Sequence, residues 1–547
     1  MSILVIGEKP SVSRELAKVL GAEKKKNGYM EGSGYIVSWC FGHLVGLKFP
    51  DAYSEDWAAR WSFAQLPMIP KEWKFQISES SKQQFKILKD LMTSSEVTEI
   101  ICATDADREG ECIFRYVYDL VKCKKPVKRL WISSLEESAI KDGFHKLKDG
   151  SAYDTLYQAG FCRAKADWLV GMNGSRLFSV RYNAHLNTGR VQTPTLAMIV
   201  KRDNDIANFV KQKYFTVELD MGFKAGSARI DEEHTADMLA SSCSGKTAAV
   251  TDVKKEVKSI SAPKLFDLTS LQREANKKFG YTAQQTLDYM QSLYEKKLVT
   301  YPRTDSQYLS DDMEQTAYAL IPAISEHFGF GTVAEPNLKA VINNRKVTGH
   351  HAIIPTESGV KCDVSALAVG EQNILKLVAL RLLCASASAY RYHAVKVTLE
   401  CENTAFTATG RTVLESGWKA LDGKIGESKK SDEKSLPDLE NGMTFIAKAS
   451  KSEHFTSPPK AFTEDTLLSA MEHAGAEEFD ENAEKKGLGT PATRANTIEN
   501  LVRHGYIQRD GKKITSTDKG RNLIQVMPDE VKSAQLTADW ENKLLGP

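Results

Sequence analysis

No two of the nine cysteines stand in a C-x₂-C pair; they are scattered at positions 40, 102, 112, 123, 162, 243, 362, 384 and 401. That argues against a Cys₄ zinc site. An odd count, with several cysteines inside apolar stretches, fits reduced, buried thiols. No apolar run approaches the ~20 residues that a membrane helix needs. The opening Met1-Ser2-Ile3-Leu4-Val5 has no basic n-region and reads as a strand rather than a signal peptide. No G-x-x-x-x-G-K-[ST] loop is there to cradle a nucleotide. Net charge is scarce as well: 73 Lys and Arg against 71 Asp and Glu leave +2. These absences lead to the expectation of a cytoplasmic protein with no membrane partner and no nucleotide cofactor.

What is present is the composition of a globular enzyme, 41% hydrophobic and 26% charged, at a length that calls for roughly three or four domains. The positive charge is clustered. Residues 161 to 213 hold nine Lys/Arg against three Asp, and residues 494 to 521 hold seven against three Asp/Glu. Either cluster reads equally well as a solvated helix face or as a nucleic-acid footprint.

Ile3-Leu4-Val5-Ile6 is the short apolar run of a buried parallel strand. Gly7 to Ser11 break it, Val12, Leu16, Val19 and Leu20 recur at helical spacing, and Gly21 stops the helix. Thr98 to Ala103 begin a second such unit, followed by Thr104-Asp105-Ala106-Asp107-Arg108-Glu109-Gly110-Glu111 and an apolar helix pattern. Two strand-to-helix units predict a small α/β domain on a parallel sheet. Beyond residue 151 the pattern is largely helical, and 214 to 260 read as strands. Residues 282 to 298 predict a helix running into a short strand, Leu298 to Tyr301. Gly423 to Gly442 read as a surface loop. Residues 493 to 517 resemble a winged-helix fragment hinged on Asp510-Gly511. Thr537 to Pro547 form a helix pattern that stops abruptly, as in a truncated chain.

Glu8 follows the first strand; Asp105, Asp107 and Glu109 follow the second. Ligand sites of open parallel sheets lie at the carboxyl ends of strands. If the two strands are neighbours, four carboxylates meet at one edge and raise one another's pKa. A cation removes that penalty, and an oxygen-only donor set points to Mg²⁺. The plainer reading makes Asp107 a helix N-cap, with the others on a solvated first turn. A Glu after the first strand and D-x-D-x-E after a later one resemble the toprim fold of topoisomerases, primases and some nucleases. The resemblance implies Mg²⁺-dependent phosphoryl chemistry.

Leu298-Val299-Thr300-Tyr301-Pro302-Arg303-Thr304-Asp305-Ser306 closely resembles the active-site signature of type IA DNA topoisomerases, in which the Tyr attacks DNA. Pro302 holds Tyr301 in an extended conformation, where residues i and i+2 point the same way, so Tyr301 and Arg303 can face one phosphate. A free tyrosine has a pKa near ~10; a neighbouring guanidinium is expected to favour the phenolate. The plainer reading is a packed aromatic at a strand end.

Further segments resemble the same family in the same order. The resemblance assigns DNA contact to Trp61, Arg163, Asp167, Trp168 and Arg176. It assigns strand gripping to Asn187, Thr188, Gly189, Arg190, Val191 and Gln192, a place near the scissile phosphate to His350 in Gly349-His350-His351, and a late DNA contact to Arg494. Taken singly, Trp168 reads as core, Arg176 and Arg190 as ion-pair partners, and His350 as a satisfied core histidine. Arg and Lys suit phosphates and Trp offers a stacking face. Glu8-Lys9-Pro10-Ser11 resembles the topoisomerase III subgroup.

The implied fold is a multidomain α/β, α and β ring: a toprim (Rossmann-like parallel sheet) domain over residues 1–150, a helical DNA-binding domain over 151–212 and 464–547, a strand-rich arch over 213–262 and 366–463, and a domain carrying Tyr301 over 263–365. The implied activity is ATP-independent cleavage of one strand through a 5′-phosphotyrosine, strand passage and religation, relaxing negative supercoils and decatenating DNA. Glu8 would exchange a proton with the 3′ oxygen, Lys9 and Arg303 would stabilise the phosphate, and Glu8, Asp105, Asp107 and Glu109 would hold Mg²⁺. The partner would be single-stranded or underwound DNA in the nucleoid, and the enzyme a monomer. The rivals are a Mg²⁺-dependent toprim nuclease or primase, which needs no Tyr301, and a non-catalytic single-strand clamp.

Overall fold

The computed structural model describes residues 1–347, 350–425, 435–475 and 487–534. Strand Ser2–Gly7 lies parallel between Tyr35–Trp39 and Val97–Ala103, and Val127–Arg129 extends the parallel core of a seven-stranded sheet. The period of two along the first strand divides its apolar run between two cores. Leu4 and Ile6 pack with Val97, Ile100 and Phe114. Val5 joins Leu16 and Val37 in a cluster that continues through Met290, Leu293, Tyr294 and Val299 to Tyr301. The amino-terminal sheet and the segment carrying the tyrosine thus share one buried apolar cluster.

Helix Pro10–Val19 follows with proline in its first turn, where no N–H is needed, and Gly21 just beyond at φ +70°. Helices Asp154–Tyr182 and Gln192–Ala207 supply the helical stretch. A second seven-stranded sheet, all antiparallel, draws its strands from residues 213–260 and 390–455. Helix Val369–Ser386 lies between these strand groups in sequence, but its apolar side chains pack with the buried clusters of the tyrosine segment. Helix Pro491–Arg503 and the hairpin Ile507–Asp510 with Lys513–Ser516, turning at Gly511 (φ +57°), form the expected fragment. The expected C-terminal helix over 537–547 lies outside the described residues, as does part of the loop 423–442.

One expectation is corrected. The expected helix over 282 to 298 is Ala283–Glu295 and stops three residues short, and Leu298 to Tyr301 are no strand. The segment makes one isolated bridge, Val299 to Pro355, and its Thr300 N–H donates to Ile354 O at 3.0 Å. Tyr301 N–H instead reaches Ser133 O at 2.9 Å. Pro302 has no N–H to continue a ladder. Among the described residues no helix is long and apolar enough to cross a membrane.

Candidate active site between the sheet edge and Tyr301

The register Gly7 to Ala103 carries Glu8 and Asp105 to the same edge of the parallel sheet, and Asp105 N–H donates to Glu8 Oε2 at 3.3 Å. Asp107 is the N-cap of helix Arg108–Val121; its Oδ1 accepts from Gly110 N–H at 2.6 Å. The plainer reading of this residue therefore holds, but it uses only one carboxylate oxygen. Gly110 is needed for close approach: a Cβ there would lie 2.1 Å from Asp105 O. The turn is clamped by a residue that sequence reasoning passed over. Buried Arg129 donates to Thr104 O (2.8 Å) and Asp105 O (2.7 Å) and pairs with Glu111 Oε2 (3.0 Å). The only signal in the sequence is that Arg129 lies two residues beyond Val127 on a short strand.

From the other side comes Tyr301. Its side chain is 1% exposed, its hydroxyl donating to Asp107 Oδ2 at 2.8 Å with Asp105 Oδ2 at 3.4 Å. The ring lies 4.2 Å, centroid to centroid, from His350 and edge-on to Tyr294 at 5.5 Å. His350 Nε2–H donates to Ala106 O at 2.5 Å, which leaves Nδ1 to accept from the Ser133 hydroxyl at 2.6 Å. That is the neutral imidazole, and burial pushes its pKa down to about 4. Arg303 lines the cavities on both sides of the carboxylates.

The electrostatics follow from crowding. Burial, then Asp105 and Asp107, push the Glu8 carboxyl up to about 8. Burial also raises Asp105, against the pull of Arg303. The Tyr301 phenol is raised well above its ordinary value by burial and by both aspartates. Here the expectation that Arg303 would favour the phenolate is corrected: its pull is present but outweighed. Burial opposes the charge on Arg303, yet Tyr301 and the carboxylates outweigh it and raise its pKa. The arrangement holds a protonated, buried phenol on two carboxylates.

The donor set is all oxygen and suits a hard cation. Glu8 and Asp105, strained toward the protonated form by burial and mutual repulsion, are the groups such a cation would relieve. Among the described residues, no three Asp, Glu, His or Cys side chains converge as a metal cage does. The Tyr301 hydroxyl sits against Asp107 Oδ2 and Asp105 Oδ2. Glu109 lies on the first turn of its helix, exposed, and pairs with His43 rather than with the other carboxylates. Both border a cavity of about 450 Å³ with Glu8, Lys9 and Arg303. Lys9 is likewise engaged, 3.6 Å from Glu295 Oε1, with Ser11 Oγ donating to the other carboxylate oxygen at 3.0 Å.

A larger cavity of about 1210 Å³ runs from Asp107, His350 and Arg303 past Arg163 and Asp167 to Thr490–Thr493. Of the sequence-assigned contact residues, Trp61 is exposed, with Arg176 5.1 Å over its ring. Arg176 is buried, donating to Gln65 Oε1 (3.0 Å) and Trp57 O (2.9 Å). Trp168 borders the cavity but is packed edge-on against Trp73 and Tyr53, with Nε1–H on Lys48 O at 2.8 Å. Its expected role as a free stacking face is corrected to a wall of the cavity. Arg190 pairs with Asp167 at 2.9 Å, and buried Arg494 donates to Thr269 Oγ1 at 2.9 Å. Asn187, Thr188 and Gly189 spend their N–H groups on Tyr506, Ser175 and Thr193. Val191 packs against an apolar cluster, and Gln192 approaches His504 at 3.5 Å. Of the sequence-assigned contact residues, Arg163, Asp167 and Trp168 line the large cavity; Gly349, beside His350, lies outside the described residues.

A toprim-like sheet edge whose carboxylates receive a tyrosine from a distant segment is the architecture of a type IA topoisomerase. The comparisons agree. The Toprim domain profile matches residues 3–135 and the DNA topoisomerase profile residues 151–545. DNA topoisomerase 3 of Bacillus licheniformis is 41% identical over 99% of this chain and 78% of that protein; its counterpart in Bacillus subtilis is 40% identical over the same shares. Full-length topoisomerase I of Thermotoga maritima superposes with a TM-score of 0.75 at 22% identity, covering 99% of this chain and 86% of that one, and shows the shared fold. The chain belongs to the type IA DNA topoisomerases, in the bacterial topoisomerase III group. It is a DNA topoisomerase, and its substrate is DNA.

Proposed function

We propose that the enzyme cuts one strand of single-stranded or underwound DNA by two successive transesterifications at Tyr301. One observation carries the reading: the Tyr301 hydroxyl rests on Asp107 and Asp105, with Glu8 and Arg303 beside it, between a large cavity lined by Asp107 and Arg303 and a smaller one lined by Glu8 and Arg303. In the first step the Tyr301 hydroxyl gives its proton to Asp107 Oδ2, its oxygen bonds to phosphorus and the 3′ oxygen leaves, giving a 5′-phosphotyrosine and, with a proton from Glu8, a free 3′-OH. Glu8, held near neutrality, returns a proton to that oxygen and takes it back on religation. Arg303, and Lys9 once released from Glu295, stabilise charge on the phosphate. His350 stays neutral and places the tyrosine ring. One phosphoester replaces another, so the reaction needs no ATP.

Glu8, Asp105 and Asp107, with Glu109 at the rim, are the residues that would hold Mg²⁺. Bound there, the ion would neutralise carboxylates and phosphate and so support DNA positioning and religation. Among the described residues, a shared buried apolar cluster and a set of polar contacts join residues 1–150 to the tyrosine segment. The polar contacts include Lys9 and Ser11 to Glu295, Lys297 to Glu15 (2.5 Å), Ser358 to Glu136 (3.2 Å) and those of Tyr301 and His350 to Ser133. Parting them would open a gate in the cut strand and let a second strand through, relaxing negative supercoils and decatenating DNA. In this reading residues 1–150, 151–212 with 464–547, 213–262 with 366–463, and 263–365 act as the four units of a monomeric ring at work on the nucleoid in the cytoplasm. The test is relaxation of negatively supercoiled plasmid. Activity should need Mg²⁺, stop with EDTA, and vanish in Tyr301→Phe. Relaxation that persists in Tyr301→Phe would refute the assignment of the nucleophile.

A further inference from the structure

Seven residues beyond the nucleophile, Tyr308 stands at the centre of a cationic cluster outside the site described above. Its backbone is fixed: Ala352 N–H donates to Tyr308 O at 2.8 Å, and the next residue, Leu309, is fully buried and takes its N–H to Val341 O. The Tyr308 side chain itself is half-buried. Two exposed lysines from separate segments meet it. Lys346 Nζ donates to the Tyr308 hydroxyl at 3.3 Å and lies 4.8 Å from the ring centroid; Lys264 Nζ lies 5.0 Å from the same centroid. Both lysines are pinned at their backbones. Lys346 O accepts from Ser306 Oγ at 2.8 Å, and Lys264 O accepts from Arg381 Nη1 at 3.4 Å.

Two ammonium groups gathered on one phenol repel each other unless an anion joins them. Among the described residues neither lysine meets a carboxylate within ion-pair distance, and the Tyr308 hydroxyl proton has no acceptor. Two cations and one free O–H donor make a half-built oxyanion site. The lysines, Lys264 first, also hold the phenol's pKa below its ordinary value, the sign of an electropositive spot. Seven residues of chain span at most about 25 Å, so the cluster lies within a few nucleotides of Tyr301.

We propose that Tyr308, Lys264 and Lys346 form a phosphate clamp for the DNA strand on the 3′ side of the cut, the end that a 5′-phosphotyrosine leaves attached to this segment. The inference rests on the transesterification at Tyr301. The clamp would keep the attached end aligned with its segment while the gate is open, so that the 3′-OH finds it again.

The test begins by mapping the cut with wild-type enzyme on a labelled oligonucleotide; absence of any adduct there would refute the underlying reading, not the clamp. Binding is then measured against salt in a Tyr301→Phe background, for one oligonucleotide ending one nucleotide beyond the cut and another ending eight beyond. Adding Lys264→Ala and Lys346→Ala should lower the salt slope by about 1.4 on the longer strand, at ~0.7 per charge on single strands, and leave the shorter unchanged. Adding Tyr308→Phe, which keeps the ring but removes the O–H, should weaken only the longer strand. Equal slopes with and without the lysines overturn the proposal, as does an equal loss on both oligonucleotides. A loss seen only with duplex DNA would assign the lysines to a passing duplex and overturn it too.

Discussion

Tyr301 and Asp107, 194 residues apart in sequence, meet through a hydrogen bond of 2.8 Å that leaves Asp107 with no unused oxygen: Oδ1 caps a helix and Oδ2 accepts from the Tyr301 hydroxyl. The same carboxylate thus helps hold the fold and holds the phenol.

That double employment separates by substitution. Asparagine caps a helix about as well as aspartate, whereas alanine costs roughly 1 kcal/mol. Asp107→Asn should therefore unfold in denaturant near the wild-type midpoint, and Asp107→Ala about 1 kcal/mol earlier. Both should lose most Mg²⁺-dependent relaxation. Full relaxation by Asp107→Asn would remove this carboxylate from the chemistry.

Gly110→Ala tests the clamp on the acidic turn. The new Cβ would lie 2.1 Å from Asp105 O, against backbone rather than a yielding side chain. Overpacking of this kind costs typically 1–3 kcal/mol. Relaxation should fall further than stability, because the displaced residue is Asp105; a variant matching wild type in both would contradict the geometry.

Glu8 gives a pH signature. Its folded pKa of about 8 lies above the ordinary glutamate value of 4.5, so the folded state binds more protons than the unfolded between those values. Stability from this group is therefore full below about pH 4.5 and is lost as pH rises toward 8. Metal-free protein should melt at lower temperature at pH 8 than at pH 5.5 on this account. Mg²⁺ should raise the melting temperature more at pH 8, where the carboxylates are free to bind it; Glu8→Gln should flatten both trends. A larger Mg²⁺ effect at pH 5.5 would reverse the sign of the argument.

Much of this was legible in the sequence because it is local. A strand end places Glu8, an N-cap signature places Asp107, and Pro302 forces Tyr301 out of a helix; each is decided within a few residues. What escaped depends on contacts distant in sequence. Arg129 belongs to no motif in the sequence, and the structure buries it under the acidic turn. Arg303 was expected to acidify Tyr301, but burial and two aspartates outweigh it. Glu109 belongs to the same short motif as Asp107, yet it faces His43 once the helix has begun. Trp61 and Trp168 looked equivalent in sequence and differ in burial.

That last difference is measurable. Trp168→Ala should destabilise the protein by about 3–5 kcal/mol, as loss of a buried indole does. Trp61→Ala should change stability by less than about 0.5 kcal/mol and weaken single-strand binding by roughly 1–3 kcal/mol. Unfolding curves and oligonucleotide titrations of the two variants decide it; weak binding confined to Trp168→Ala at unchanged stability would reverse the assignment.

The most direct measurement is a denaturing gel of the enzyme with single-stranded DNA, labelled on the 3′ side of its cut. Wild type should show label retained by the protein after denaturation, lost in Tyr301→Phe and traced by proteolysis to the peptide containing Tyr301. Free cut ends without a protein adduct, or an adduct that survives Tyr301→Phe, would contradict the account.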